Sequence, residues 1–215
     1  MTRRQGDKKT GRQEDKKTGR LGDKVTGRLG DREIEKLGDK VKEVGTPLRA
    51  EIVSELRAGD LVQISGVVYG ARDAAHKRMV ETLARGEALP VDLANQMIYY
   101  VGPAPAKAGH VIGPAGPTTS GRMDPYTIPL LQQGVKGFIG KGYRSDRVKA
   151  AFIEYGAIYC AAVGGAAALL AQHITASRIV AYADLGPEAL YELVFDRFPV
   201  IVVNDLYGGD AYEKR

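Results

Sequence analysis

Residues 60–86 read DLVQISGVVYGARDAAHKRMVETLARG. Asp60 to Gly70 is rich in β-branched residues and partly alternates, the pattern of a strand. From Ala71 onward Ala, Met, Leu and Lys favour helix, and Gly86 stands where a left-handed cap would end it. The same unit of strand, glycine turn and helix recurs along the chain. QMIYYVGPAPA (96–106) predicts a strand running into a Gly/Pro loop, and YTIPLLQQG (126–134) a helix begun by Asp124-Pro125 and strained by Pro129. VKGFIG (135–140) predicts a strand, DRVKAAFIEYG (146–156) a helix capped by Ser145, AIYCAAV (157–163) a strand and AAALLAQHI (166–174) a helix.

Upstream, AEIVSEL (50–56) predicts a short helix after Thr46-Pro47. Downstream, RIVAYA (178–183), LYELVFDRF (190–198) and PVIVVND (199–205) predict three strands. The first and third read as apolar runs buried on both faces. Strands and helices in alternation, with strand-rich ends, predict a layered α/β domain with a mixed sheet.

The bulk composition narrows the classes of function. The chain has 215 residues and 44% hydrophobic residues, ordinary for a globular protein. No run reaches the roughly 18 apolar residues of a membrane span, and the charged N-terminus lacks a signal-peptide core, so a cytoplasmic protein is expected. A single cysteine, Cys160, sits in an apolar run and can neither pair internally nor hold an iron–sulfur cluster by itself. The net charge of +5 lies wholly in residues 1–40, which carry 13 basic and 8 acidic residues; the remainder carries 18 of each. The domain therefore has no bulk basic character to suggest nucleic acid.

Residues 1–40 repeat with a period of eight: QGDKKTGR, QEDKKTGR, LGDKVTGR, LGDREIEK. So few apolar residues cannot offset an ordering entropy of roughly 1–2 kcal/mol per residue. A disordered tail is expected, or one partly helical from about residue 31; salt-sensitive polyanion contact is its alternative role. The folded domain is expected at 41–215.

Three loops share one form: a strand, a glycine-containing turn, a basic residue and a helix start. They are YGARDAAH with Arg72, PTTSGRMD with Thr118 and Arg122, and GKGYRS with Lys141. In an open α/β sheet the loops after the C-terminal strand ends form the ligand crevice, and helix N-termini there favour anions. Two arginines and a lysine in such loops suit a small acid with two carboxylates. Each has a plainer reading alone: Arg72 as a helix-start surface residue paired with a carboxylate, Lys141 as a solvated lysine, His76 as a helix-surface or packing histidine, Asp124 as an N-cap. GVKGFIGKG is not a phosphate loop, because the spacing is one residue too long and Gly142 stands where Ser or Thr would bind Mg²⁺.

ISGVVYGARDAAHKR (64–78), YYVGPAPAKAGHVIGPAGPTTSGRMDPYT (99–127), GFIGKGYRS (137–145) and FPVIVVND (198–205) resemble the β subunit, or C-terminal domain, of class I iron–sulfur fumarate hydratases and L-tartrate dehydratases. The resemblance spans roughly residues 46–210 and leaves the repeat tail without a counterpart. It implies a swivelling β/β/α domain and a hydro-lyase acting on a four-carbon dicarboxylate. It implies a [4Fe–4S] cluster held by a separate α subunit and not by this chain, with α2β2 as the family-like stoichiometry. Carried onto matching positions, it makes Arg72, Arg122 and Lys141 substrate-binding residues and Thr118, with Lys141, catalytic. Asp124 would orient Arg122. A stand-alone dicarboxylate-binding module is the rival from another class.

Overall fold

A computed structural model describes residues 41–162 and 164–213. The repeat tail, and with it the expectation of disorder or partial helix, lies outside them. The fold is mixed α/β with a seven-stranded sheet. In chain order the elements are β1 (Val41–Gly45), α1 (Ala50–Glu55), β2 (Leu61–Gly70), α2 (Asp73–Ala84), β3 (Met97–Tyr99), a 3-10 turn (Ser120–Met123), α3 (Asp124–Gln132), β4 (Gly137–Gly140), α4 (Asp146–Tyr155), β5 (Ile158–Ala161), α5 (Ala167–Ala171), β6 (Ile174–Ala181), a second 3-10 segment (Ala183–Glu188) and β7 (Leu190–Asn204).

Strands β1 to β5 run parallel in sequence order. β7 is antiparallel to β2, β5 and β6. Its pairing with both β2 and β5 closes β2-β3-β4-β5-β7 into a ring. Because successive side chains of a strand point to opposite faces, β3 feeds two cores. Met97 and Tyr99 join Val53 of α1, Leu170 of α5 and the stacked Phe195 and Phe198 of β7. Ile98 and the following Tyr100 join Met79 of α2, Leu131 of α3 and Phe152 of α4. The helices that follow β2, β3 and β4 thus pack on one side, and their N-termini gather where those strands end.

Several expectations need correction. LYELVFDRF and PVIVVND form one strand of 15 residues, not two. The apparent break is local: Asp196 and Arg197 are exposed, and Arg197 takes a left-handed φ of 48° without ending the strand. RIVAYA is not buried on both faces; β6 pairs with β7 alone and leaves Ile179 45% exposed. The helix expected to Ile174 stops at Ala171, and Ile174 opens β6. β1 went unforeseen, since VKEVG is too short and polar to show periodicity; Val44 is its one buried residue.

Candidate functional site

The parallel strands end side by side at Gly70, Tyr99 and Gly140; Arg72 and Lys141 follow directly, and Thr118 and Arg122 come after the long loop that leaves β3. Arg72 precedes α2 in extended conformation. Its guanidinium lies against Gly102, where an added Cβ would come within 2.7 Å of the Arg72 Cδ and 2.9 Å of a terminal nitrogen. A side chain at 102 would displace the arginine. Arg72 meets Glu188 Oε1 at 3.2 Å and Asp73 Oδ2 at 3.4 Å. Glu188 also accepts the Ala74 N–H at 2.9 Å, capping α2 from a distant part of the chain.

Arg122 reaches the same Asp73 with a two-pronged grip, Nε to Oδ1 at 3.0 Å and Nη2 to Oδ2 at 2.9 Å. Arg72 and Arg122 therefore converge on one carboxylate. Arg122 remains about half exposed. Asp73, at the first turn of α2, also complements the helix dipole.

Thr118 and Lys141 form a second cluster, joined to each other through the backbone. The Thr118 N–H donates to Tyr100 O at 2.7 Å, and the Lys141 N–H donates to Thr118 O at 3.1 Å. The Ser120 N–H donates back to Lys141 O at 2.8 Å, so 118–120 lies beside Lys141 like a short parallel strand. The buried Ser120 hydroxyl donates to Tyr159 Oη at 2.9 Å, and that phenol donates to Gly142 O at 2.8 Å. Burial pushes the Tyr159 phenol above its ordinary pKa, with the Ser120 bond acting the other way. The two loops can approach because residue 140 is glycine: a Cβ there would meet the Ser120 hydroxyl and come within 2.7 Å of Tyr100 Cδ2. Thr118 is half-buried and Lys141 exposed, so the cluster opens to solvent.

Asp124 neither caps α3 with its side chain nor orients Arg122. Its carboxylate accepts the Ser145 N–H at 2.8 Å and the Arg144 Nε–H at 2.7 Å. Ser145 holds the N-cap position of α4 without a side-chain capping bond. Asp73, Glu188 and Arg144 are the residues that sequence reasoning missed. Asp73 beside Arg72 was the only available signal, since the other pairings link distant segments.

Of the two plain readings, helix-surface or packing, the structure shows packing for His76. It is fully buried, edge-on to Tyr100 with ring centres 5.3 Å apart, and its Nδ1 lies 3.0 Å from Arg72 O. Burial lowers its pKa from 6.5 to about 4. The unfolded chain therefore binds a proton that the folded one refuses. The stability this confers is present above about pH 6.5 and is lost as pH falls toward 4. The loss should reach ~3 kcal/mol at 1.36 kcal/mol per unit. Urea unfolding near pH 7 and near pH 4.5 should show His76→Leu losing less stability on acidification than wild type; equal losses would rule this out.

The described residues do not fit an iron–sulfur cluster. Cys160 is buried with its thiol pushed up to about 12, and no group of three or more His, Cys, Asp or Glu among the described residues is placed to hold a metal. Nor is any helix of the described residues long and apolar enough to cross a membrane.

Comparison with known proteins shows the family of the chain. Residues 26–215 match the Fumarase C-terminus family, starting inside the repeat tail. A putative L(+)-tartrate dehydratase subunit beta from Methanocaldococcus jannaschii is 39% identical over 75% of this chain and 86% of its own length. A class I aerobic fumarate hydratase from Salmonella typhimurium is 36% identical over 75% of this chain but 28% of its own length, and fumarate hydratase 2 of Leishmania major is 38% identical over 75% and 29%. The chain thus spans under a third of the length of those two hydratases. With the match running through every described element, the chain belongs to the Fumarase C-terminus family.

Proposed function

We propose that this chain is the β part of a hydro-lyase that interconverts fumarate and (S)-malate by adding and eliminating water. The carrying observation is the convergence of Arg72 and Arg122 on Asp73. Two guanidinium groups that already grip one carboxylate have the spacing and donor geometry to grip a substrate's. Family membership supports the same reading.

On this reading Arg72 and Arg122 hold carboxylate groups of the diacid, and Asp73 holds the two arginines in place when substrate is absent. A solvent-exposed ion pair is worth only about 0–1 kcal/mol, so Arg122 can turn to substrate cheaply. In dehydration, a proton leaves the carbon next to a carboxylate and hydroxide leaves the neighbouring carbon, giving the alkene and water. Negative charge building on that carboxylate is stabilised by Lys141 and the arginines. Thr118 is the proton-transfer group of this chain, a role that needs a neighbour able to take its proton or lower its pKa. The [4Fe–4S] cluster that the resemblance implies belongs to a partner α subunit, which also covers the open side of the site; α2β2 is the proposed assembly.

L-tartrate dehydration is the second reading. It is favoured by the relative named as a tartrate dehydratase subunit beta, which matches over most of its own length. The purified chain alone should be colourless and inactive. Reconstituted anaerobically with the α subunit, it should turn over fumarate faster than L-tartrate. Faster tartrate turnover would select the second reading. Iron–sulfur absorbance from the chain alone, or a complex inactive on both acids, would overturn the proposal, and micromolar malate binding by an inactive chain would point to a binding module.

A further inference from the structure

Arg144 is the most buried cation among the described residues that the site chemistry leaves unused; its side chain has no solvent exposure. Its planar fork has three partners in three directions. Nε donates to Asp124 Oδ1 at 2.7 Å, Nη1 to Tyr100 Oη at 2.9 Å and Nη2 to Thr127 Oγ1 at 2.5 Å. The rings of Tyr100, Phe138, Phe152 and Tyr159 surround it at 5.3–5.8 Å. Burying a charge costs several kcal/mol, and apolar residues of similar volume often serve stability as well. A directional role explains why a guanidinium stands here.

The partners show what that role is. Asp124 is two residues beyond Arg122, Arg144 is three beyond Lys141, and Tyr100 supplies the carbonyl that holds the Thr118 N–H. The second oxygen of Asp124 takes the Ser145 N–H, locking the loop after β4 to the start of α3. One buried fork thus ties together the three segments that carry the candidate groups. We propose that Arg144 is a positioning residue that sets the spacing between the cations at 122 and 141, and so the length of diacid the site accepts. This rests on the dicarboxylate reading above.

Lysine keeps the charge but not the fork, since an ammonium is a point charge without planar donors. The α-reconstituted complex carrying Arg144→Lys is therefore compared with wild type, using succinate and glutarate as competitive inhibitors. Because displacement of about 1 Å can cost up to ~100-fold, succinate inhibition should weaken by at least ~10-fold and glutarate inhibition by less than ~3-fold. The preference for the four-carbon acid narrows. A purely structural defect lowers the amount of active complex and leaves the inhibition constants alone. Should Arg144→Lys fail to fold, Asp124→Asn loosens the same clamp and should narrow the preference likewise. An unchanged ratio in a folded variant overturns the positioning role while leaving the dicarboxylate reading intact. A wild-type complex inhibited by neither acid overturns both.

Discussion

Arg122→Ala should lower kcat/KM of the reconstituted complex by at least ~100-fold, because stranding a charge in a covered site costs about 2–5 kcal/mol. The same change should scarcely alter the stability of the chain. Arg122 is 51% exposed and its bond to Asp73 is a surface pair, worth at most about 1 kcal/mol. The two measurements separate a substrate-binding arginine from a structural one. Steady-state kinetics with fumarate and malate, beside a urea melt of the chain, provide the comparison. A variant with near-wild-type kcat/KM would remove Arg122 from the site, and one that melts several kcal/mol early would make it a scaffold residue.

Arg144→Ala has the opposite signature. It should destabilise the isolated chain by about 3–5 kcal/mol, the usual cost of breaking a buried ion pair from one side. The loss has identifiable parts: Asp124 keeps its charge at 15% side-chain exposure, the Tyr100 phenol loses its partner, and a cavity opens among the surrounding rings. Removing both charges in Asp124→Asn/Arg144→Met should recover part of this, since no charge is then stranded and Met fills the space. Urea unfolding of the two variants gives the difference by linear extrapolation. If Arg144→Ala costs under ~1 kcal/mol, the clamp does not hold the loops as described.

What the sequence makes legible follows from the range of the forces involved. PTTSGRMD reads as a site loop because a glycine-containing turn there ends in a cation before a helix start. The strand–turn–helix units around Gly70 and Gly140 read correctly because periodicity and glycine act locally. Asp73 does not read as the partner of Arg122, from which it is 49 residues distant in sequence. Arg144 looks like one more loop cation in GKGYRS; its burial depends on rings from positions 100, 138, 152 and 159. Asp124-Pro125 carries the local signature of a cap, but a buried guanidinium competes for the same carboxylate and wins. The break expected before Pro199 fails because β2 pairs with β7 on both sides of it, Ile64 with Phe198 and Gln63 with Pro199.

The closing of the ring by β7 has a consequence for how this protein comes into being. Leu61 pairs with Ile201 and Gly70 with Tyr191, so β2, paired already with β1 and β3, acquires its second flank only when Leu190–Asn204 has left the ribosome. Until then a nascent chain displays unpaired edges on β2 and β5, surfaces that invite other polypeptides. Such distant pairing makes for slow folding, and closure of the ring waits on β7.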